Sequence, residues 1–167
     1  MGYVHDTSMS QFIPPNLFHF STATITYVAG QVAGTIVAHR GAANQTTLAT
    51  IPVIIPSNSV ALKGAYLKSI EIDYELLTTE PTSITFTINK VTRGADTAVA
   101  VVAAQAFTAA IAAAGAKTVD QHKQVLTITT PFWVLNTEYV LVEMSMVCPA
   151  GGTAQFLGAV ANFTERI

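Results

Sequence analysis

The sequence predicts an all-β fold, an antiparallel β-sandwich of the jelly-roll type preceded by an extended N-terminal arm, on three observations. Eight or nine short runs rich in β-branched and aromatic residues follow one another, separated by turn residues. One run, 66–77, alternates strictly between apolar and polar side chains. No helical pattern alternates with the strand runs, which argues against a parallel sheet with crossover helices and for two packed antiparallel layers.

Residues 1–20, "MGYVHDTSMSQFIPPNLFHF", show no period, and Pro14-Pro15 holds the backbone extended. They read as an arm, with 21–167 as one sandwich domain. Two placements satisfy such an arm: across a neighbouring subunit, or around its own domain. The first is the expectation adopted, with Phe12, Ile13, Leu17 and Phe18 as the anchoring side chains.

The strand runs then come in order: "TATITYV" (22–28), closed by Ala29-Gly30; "VAGTIVAHR" (32–40), closed by Gly41; and "TTLATIPVIIP" (46–56), followed by Ser57-Asn58-Ser59. In "YLKSIEIDYELL" (66–77), Ile70, Ile72, Tyr74 and Leu76 fall on one face and Glu71, Asp73 and Glu75 on the other. "TSITFTINKV" (82–91) alternates in the same way. A hairpin through Thr78-Thr79-Glu80-Pro81 would set Leu76 opposite Ile84, Tyr74 opposite Phe86 and Ile72 opposite Ile88. Three more strands are expected at 123–135, 137–147 and 154–167, the last two joined by "CPAGG". Both faces of 137–147 carry apolar residues, so that strand is expected to be covered on two sides.

Residues 97–116, "TAVAVVAAQAFTAAIAAAGA", carry no charge. The run is Ala-rich and lacks the Leu, Ile and Phe density of a membrane span. Val99, Val101, Ala103, Gln105 and Phe107 fit one face of a strand, whereas Val99, Val102, Ala103, Ala106 and Ala110 fit a helical face. The β-branched residues cluster at the front, which favours a strand over about 98–108 followed by an Ala/Gly loop, with a short helix at 108–114 as the competing arrangement.

Only 11% of the 167 residues are charged, against about 25% in ordinary soluble domains, and 50% are hydrophobic. So few ionic groups cannot cover the roughly 8,000 Å² that a chain of this size presents, which predicts that copies or partners hide part of the surface. The net charge is −2 and the basic residues are scattered singly, which makes no phosphate-binding stripe, so neither nucleic acid nor a membrane is expected as a partner. Cys148 is the single cysteine, excluding an internal disulfide. The opening residues lack the pattern of a secretory signal, from which synthesis in a cytoplasm is expected.

The chemistry-bearing residues are sparse. His5, His19, His39 and His122 have no zinc-like spacing, so no metal or cofactor is expected. Asp120 and His122 could pair as an acid and a base, but no nucleophile motif accompanies them. Glu71, Asp73, Glu75 and Glu80 form an acidic row without the Asp/Asn/Gly pattern of a calcium loop, and read as the wet face of a strand. Phe132, Trp133 and Tyr139 could form a platform for a sugar ring, or pack in a core or interface. Asn44 and Asn162 match the glycosylation acceptor pattern, which carries little weight without a secretory signal.

The stretch "TPFWVLNTEYVLVEMSMVCPAGGTAQFLGAVANFT" (130–164), together with "SVALKGAYLKSIEIDYELL" (59–77), resembles the small β-sandwich virion proteins of tailed bacteriophages. Those proteins share an alternating strand after "LKG", a "NTEYVL"-type strand and a closing strand after a Gly-rich turn. The resemblance implies a non-enzymatic, self-assembling virion component, of the decoration, cement or minor capsid kind. Its partners would be further copies of itself, as a trimer or larger assembly, and a major capsid protein. It supplies no catalytic residues, and Trp133 joins the four arm residues as an expected interface side chain. The alternative is a carbohydrate- or ligand-binding β-sandwich module using Trp133, Tyr139 or the acidic row, which requires a concave polar pocket near Trp133.

Overall fold

The computed structural model of the chain describes residues 5–21, 24–29, 35–60, 62–94 and 99–166. Twelve strands occur among them: β1 (Asp6–Ile13), β2 (His19–Ser21), β3 (Ile25–Ala29), β4 (Ile36–Arg40), β5 (Gln45–Val53), β6 (Gly64–Leu76), β7 (Ser83–Thr92), β8 (Val101–Gln105), β9 (Phe107–Ala109), β10 (Gln121–Trp133), β11 (Glu138–Cys148) and β12 (Ala154–Arg166). Two single turns of 3-10 helix, Pro15–Leu17 and Gly115–Lys117, are the helical elements among the described residues. None is long and apolar enough to cross a membrane.

The strands form two antiparallel sheets. One has the order β3-β4-β12-β6-β10-β9, with β1 also on β12, and the other β2-β5-β11-β7-β8. Reading β4, β5, β6, β7, β8, β10, β11 and β12 as eight successive strands, the chain changes sheet at every step except from β7 to β8, and the last strand lies between the first and third, which is jelly-roll connectivity. The expected sandwich is therefore present. The stretch 101–109 closes one side: β8 pairs with β7 in one sheet and, after Ala106, β9 pairs with β10 in the other. A strand thus stands where the valine-rich front of the run favoured one, and no helix forms at 108–114.

The core lies between the sheets. Ile70, Ile72, Tyr74 and Leu76 of β6 face Ile84 and Ile88 of β7 and Val140, Val142, Met144 and Met146 of β11, all buried. The alternation of β6 thus identifies its inner face correctly. The hairpin register does not hold, because β6 pairs with β10 and β12 while β7 pairs with β11 and β8. The connection 77–82 carries the chain from one sheet to the other, so Tyr74 and Phe86 meet across the core, ring centroids 6.5 Å apart, instead of along a ladder. Alternation fixes the face a residue presents and leaves open which edge its strand pairs with. β11 is buried on one face only; Tyr139 on its other face is 41% exposed, against the expectation of cover on both sides.

The N-terminal segment wraps its own domain. β1 lies antiparallel on β12, from Asp6 opposite Arg166 to Ile13 opposite Ala159, and β2 lies on β5 in the other sheet. Pro14-Pro15 marks the crossing from one sheet to the other. Ile13 and Phe18 are buried in this chain's core, where Phe20, 5.0 Å from the ring of Phe156, extends the packing. Their anchoring role on another subunit is thereby corrected: an apolar side chain that closes its own core is not free to dock elsewhere. Phe12, though half exposed, covers Gly158, whose φ of +143° and missing Cβ admit the ring; a Cβ there would stand 2.7 Å from two ring carbons of Phe12. Leu17 remains exposed at the surface.

At the opposite end of β12, Arg40 is fully buried. Its Nε donates to Thr47 Oγ1 at 2.7 Å, Nη1 to the carbonyls of Gly41 at 3.2 Å and Gly152 at 2.7 Å, and Nη2 to those of Ala43 at 2.7 Å and Gln45 at 3.2 Å. All five guanidinium N–H groups are thus used, joining the 41–45 turn, β5 and the turn before β12. Replacing Arg40 by Met leaves those oxygens buried without donors, and urea denaturation is expected to show a loss of about 3–5 kcal/mol, with Arg40→Lys recovering only part of it.

Candidate functional site

Glu71, Asp73 and Glu75 of the acidic row lie on the outer face of the larger sheet, whereas Glu80 lies off it, in the connection between β6 and β7. Glu71 accepts from Lys123 at 2.6 Å and from Asn162 Nδ2 at 2.8 Å, and these partners hold its carboxyl below the usual range, chiefly through the Lys123 contact. Asp73, partly buried beside Glu71, is pushed the other way, first by desolvation. No group of His, Cys, Asp and Glu able to hold a metal occurs among the described residues. Asn162, a glycosylation candidate, also accepts from Ser10 at 2.6 Å, so its side chain is part of this polar face.

Asp120 and His122 do not form an acid–base pair. Asp120 Oδ1 accepts from the Gln121 backbone N–H at 2.8 Å. His122 is buried against Tyr74, ring centroids 5.1 Å apart, with Nε2 2.8 Å from the Thr118 carbonyl. Tyr74 donates to the Ala116 carbonyl at 2.6 Å, and burial pushes its phenol well up. These contacts seat the 110–120 loop over the end of the sandwich. Cys148 is buried, and desolvation raises its thiol, so it stays protonated and unreactive.

The three sequence-flagged aromatics do not meet in one platform. Tyr139 lies on the outer face of the other sheet, and Phe132 sits beneath the Lys90 ammonium at 5.3 Å. Trp133 pairs instead with Tyr66, its cross-strand neighbour, ring centroids 5.0 Å apart. Together they wall a cleft of about 510 Å³ on the outer face of the larger sheet, at the end where β1, β12, β6 and β10 lie side by side.

A bulge builds this cleft. On β6, Leu67 faces Phe163 and Ser69 faces Asn162, which leaves Lys68 as an extra residue with no partner on β12. Ala65 and Leu67 point inward before it and Ile70, Ile72 and Tyr74 after it, so the inward parity reverses at Lys68. The reversal turns Tyr66 outward, although its even number would place it in the core with Ile70. β10 is irregular opposite the same point, between Thr127 and Phe132, where Pro131 interrupts the ladder.

The remaining lining is polar. Arg166 forks onto Asp6, Nε to Oδ1 at 2.6 Å and Nη2 to Oδ2 at 2.7 Å, and its guanidinium lies 5.1 Å from the centre of the Trp133 ring. That fork holds the Asp6 carboxyl below the usual carboxylate range. Ser8 and Lys68 complete the rim. Thr164 forms the floor: it is 8% exposed, and its buried Oγ1 has no hydrogen-bond partner among the described residues. Of the residues singled out from sequence, the cleft uses Trp133; Asp6, Ser8, Tyr66, Lys68, Thr164 and Arg166 carry no motif that would have marked them.

No protein-family profile matches the chain, and no curated protein matches it. Among solved structures it is similar to the CBM22-1–GH10 modules of Clostridium thermocellum endo-1,4-beta-D-xylanase 10B complexed with xylohexaose (8% identity, TM-score 0.47, covering 90% of this chain and 27% of that one). It is also similar to TmCBM61 in complex with beta-1,4-galactotriose (7% identity, TM-score 0.46, 92% of this chain and 91% of that one). A third is the enzymatically active domain of bacteriophage CBA120 tailspike protein 4 (11% identity, TM-score 0.45, 91% of this chain and 20% of that one). Such identities and scores fix neither a family nor a ligand.

A hydroxyl buried without a partner contributes nothing to the stability of the empty protein. Thr164→Val, which removes it while keeping the shape, is expected to leave the free energy of unfolding unchanged or raise it by up to about 1 kcal/mol, as read by thermal denaturation.

Proposed function

We propose that this chain is a binding module whose outer-face cleft receives a saccharide. The observation that carries the reading is the Thr164 hydroxyl, buried without a partner beneath a wall made by Tyr66 and Trp133. A sugar ring is amphipathic: its C–H faces pack on aromatic rings, and its hydroxyls need hydrogen-bonding groups of both kinds. The aromatic wall supplies the first, and Ser8, Thr164 and Arg166 supply the second. Charge-assisted donors in a pre-formed cleft hold a ligand without large rearrangement.

Affinity electrophoresis against a panel of soluble polysaccharides tests this directly. Retardation by at least one of them, reduced about tenfold or more by Trp133→Ala and also weakened by Thr164→Val, is the expected result. Migration unaffected by every polysaccharide would overturn it.

A second reading, self-association of the kind a virion component needs, is favoured by the β8 edge. Among the described residues β8 pairs with β7 alone, and Val101 and Val102 are 64% and 60% exposed. Its sequence VVAAQ has neither charge nor proline, the usual guards of an open edge. The occupant that fits is β8 of a second copy, antiparallel, because an uncharged strand meets no like charge in itself and can complete its own unpaired ladder. Sedimentation at increasing concentration is expected to show a dimer or larger species that Val102→Lys returns to a monomer; a monomer at all concentrations would rule this reading out.

A further inference from the structure

Building on the saccharide reading of the cleft, we propose that its ligand is an anionic saccharide whose acid group pairs with Lys68. The cleft carries three charged side chains. Asp6 and Arg166 cancel in their two-point fork. Lys68, exposed at the rim, is near enough to Asp6 to help lower its carboxyl but makes no ion pair or hydrogen bond with any described residue, and the three lining charges sum to one net positive beside the aromatic wall. Among the other exposed or half-exposed lysines on the sheets, Lys123 is tied to Glu71 and Lys90 to Glu138.

The position of Lys68 is set by backbone geometry as well as by sequence. It is the extra residue of the β6 bulge, the same irregularity that turns Tyr66 into the cleft. The local chain departure that makes the aromatic wall therefore also delivers the free ammonium. Arg166 adds a second cationic donor: two of its nitrogens are committed to Asp6, while Nη1 has no acceptor among the described residues. An acid group on a sugar seated against Tyr66 and Trp133 would meet both.

General attraction to polyanions does not account for such binding, since the whole chain is net negative at −2. Retention of an anionic polymer has to come from a local site.

The test compares polygalacturonate, which carries carboxylates, and dextran sulfate, which carries sulfates, with neutral galactan and xylan. Binding is measured by affinity electrophoresis and titration calorimetry at low and high salt, using the parent chain, Lys68→Gln, Lys117→Gln as a remote control, and Trp133→Ala. The expected result is preference for one acidic polymer, which identifies the acid group. Lys68→Gln should weaken it about tenfold at low salt, with the difference shrinking at high salt, and Lys117→Gln should have no effect. Preference for a neutral polymer with Lys68→Gln unchanged would overturn the inference and leave the saccharide reading standing, provided Trp133→Ala still abolishes binding. Equal weakening by Lys68→Gln and Lys117→Gln, with Trp133→Ala inert, would reduce the effect to non-specific charge and overturn it. No binding to any polymer would overturn both.

Discussion

The fold depends on a buried cation, Arg40, that has no carboxylate beside it among the described residues. Arg40 lies at the end of β4, the first strand of the jelly roll proper, and its guanidinium is satisfied by four backbone carbonyls and a threonine hydroxyl. A carbonyl is a weaker partner than a carboxylate, and burying an unpaired charge is costly. Five donors matched to five acceptors offset that cost, and the planar guanidinium dictates where each acceptor must stand. The turn from β4 to β5 crosses between sheets, and the turn leading into β12 returns the chain beside β4. Arg40 fixes both at once, so the placement of the central strand β12 follows from it.

Once β12 is placed, the outer face of the larger sheet takes shape around it. Its first three residues pair with β4 and its later ones with β1 on the same edge, while β6 runs along the other. Gly158 sits at a break in that register, where Phe12 closes over it. Regular stretches of ladder make a flat polar surface, such as the Ser10–Asn162–Glu71 network. The irregular stretch at Lys68 makes a hollow. Shape on this face therefore comes from departures in the strands and not from an inserted loop.

Much of this architecture was legible in the residues. The alternation at 70–76 named the inner face of β6, the valines at 99–102 marked a strand within an alanine-rich run, and turn residues separated the rest. What could not be read was pairing: Leu76 and Ile84 both face the core, and alternation says the same of strands that share a ladder and of strands that face each other across 10 Å or so. The arm shows the same gap. Pro14-Pro15 announces extended backbone but does not say whose surface lies beneath it, and Ile13 and Phe18 prove to be core residues. Trp133 was visible as a candidate through its chemistry alone. Tyr66 was hidden because a bulge reverses parity without leaving a Gly or Pro to announce it, and Thr164 because an unpartnered hydroxyl exists only in three dimensions.

The cleft is sewn from chain segments far apart: Asp6 and Arg166, which close one side of it, are 160 residues apart in sequence. Along β1 every residue but Ile13 is exposed, so the part of the strand that bears Asp6 and Ser8 can fray from β12 while Ile13 keeps its place in the core. Occupancy of the hollow is therefore thermodynamically linked to the seating of that part of β1 on β12. Whatever fills it also fastens β1, and the apparent affinity is lowered by whatever fraction of molecules has that strand undone.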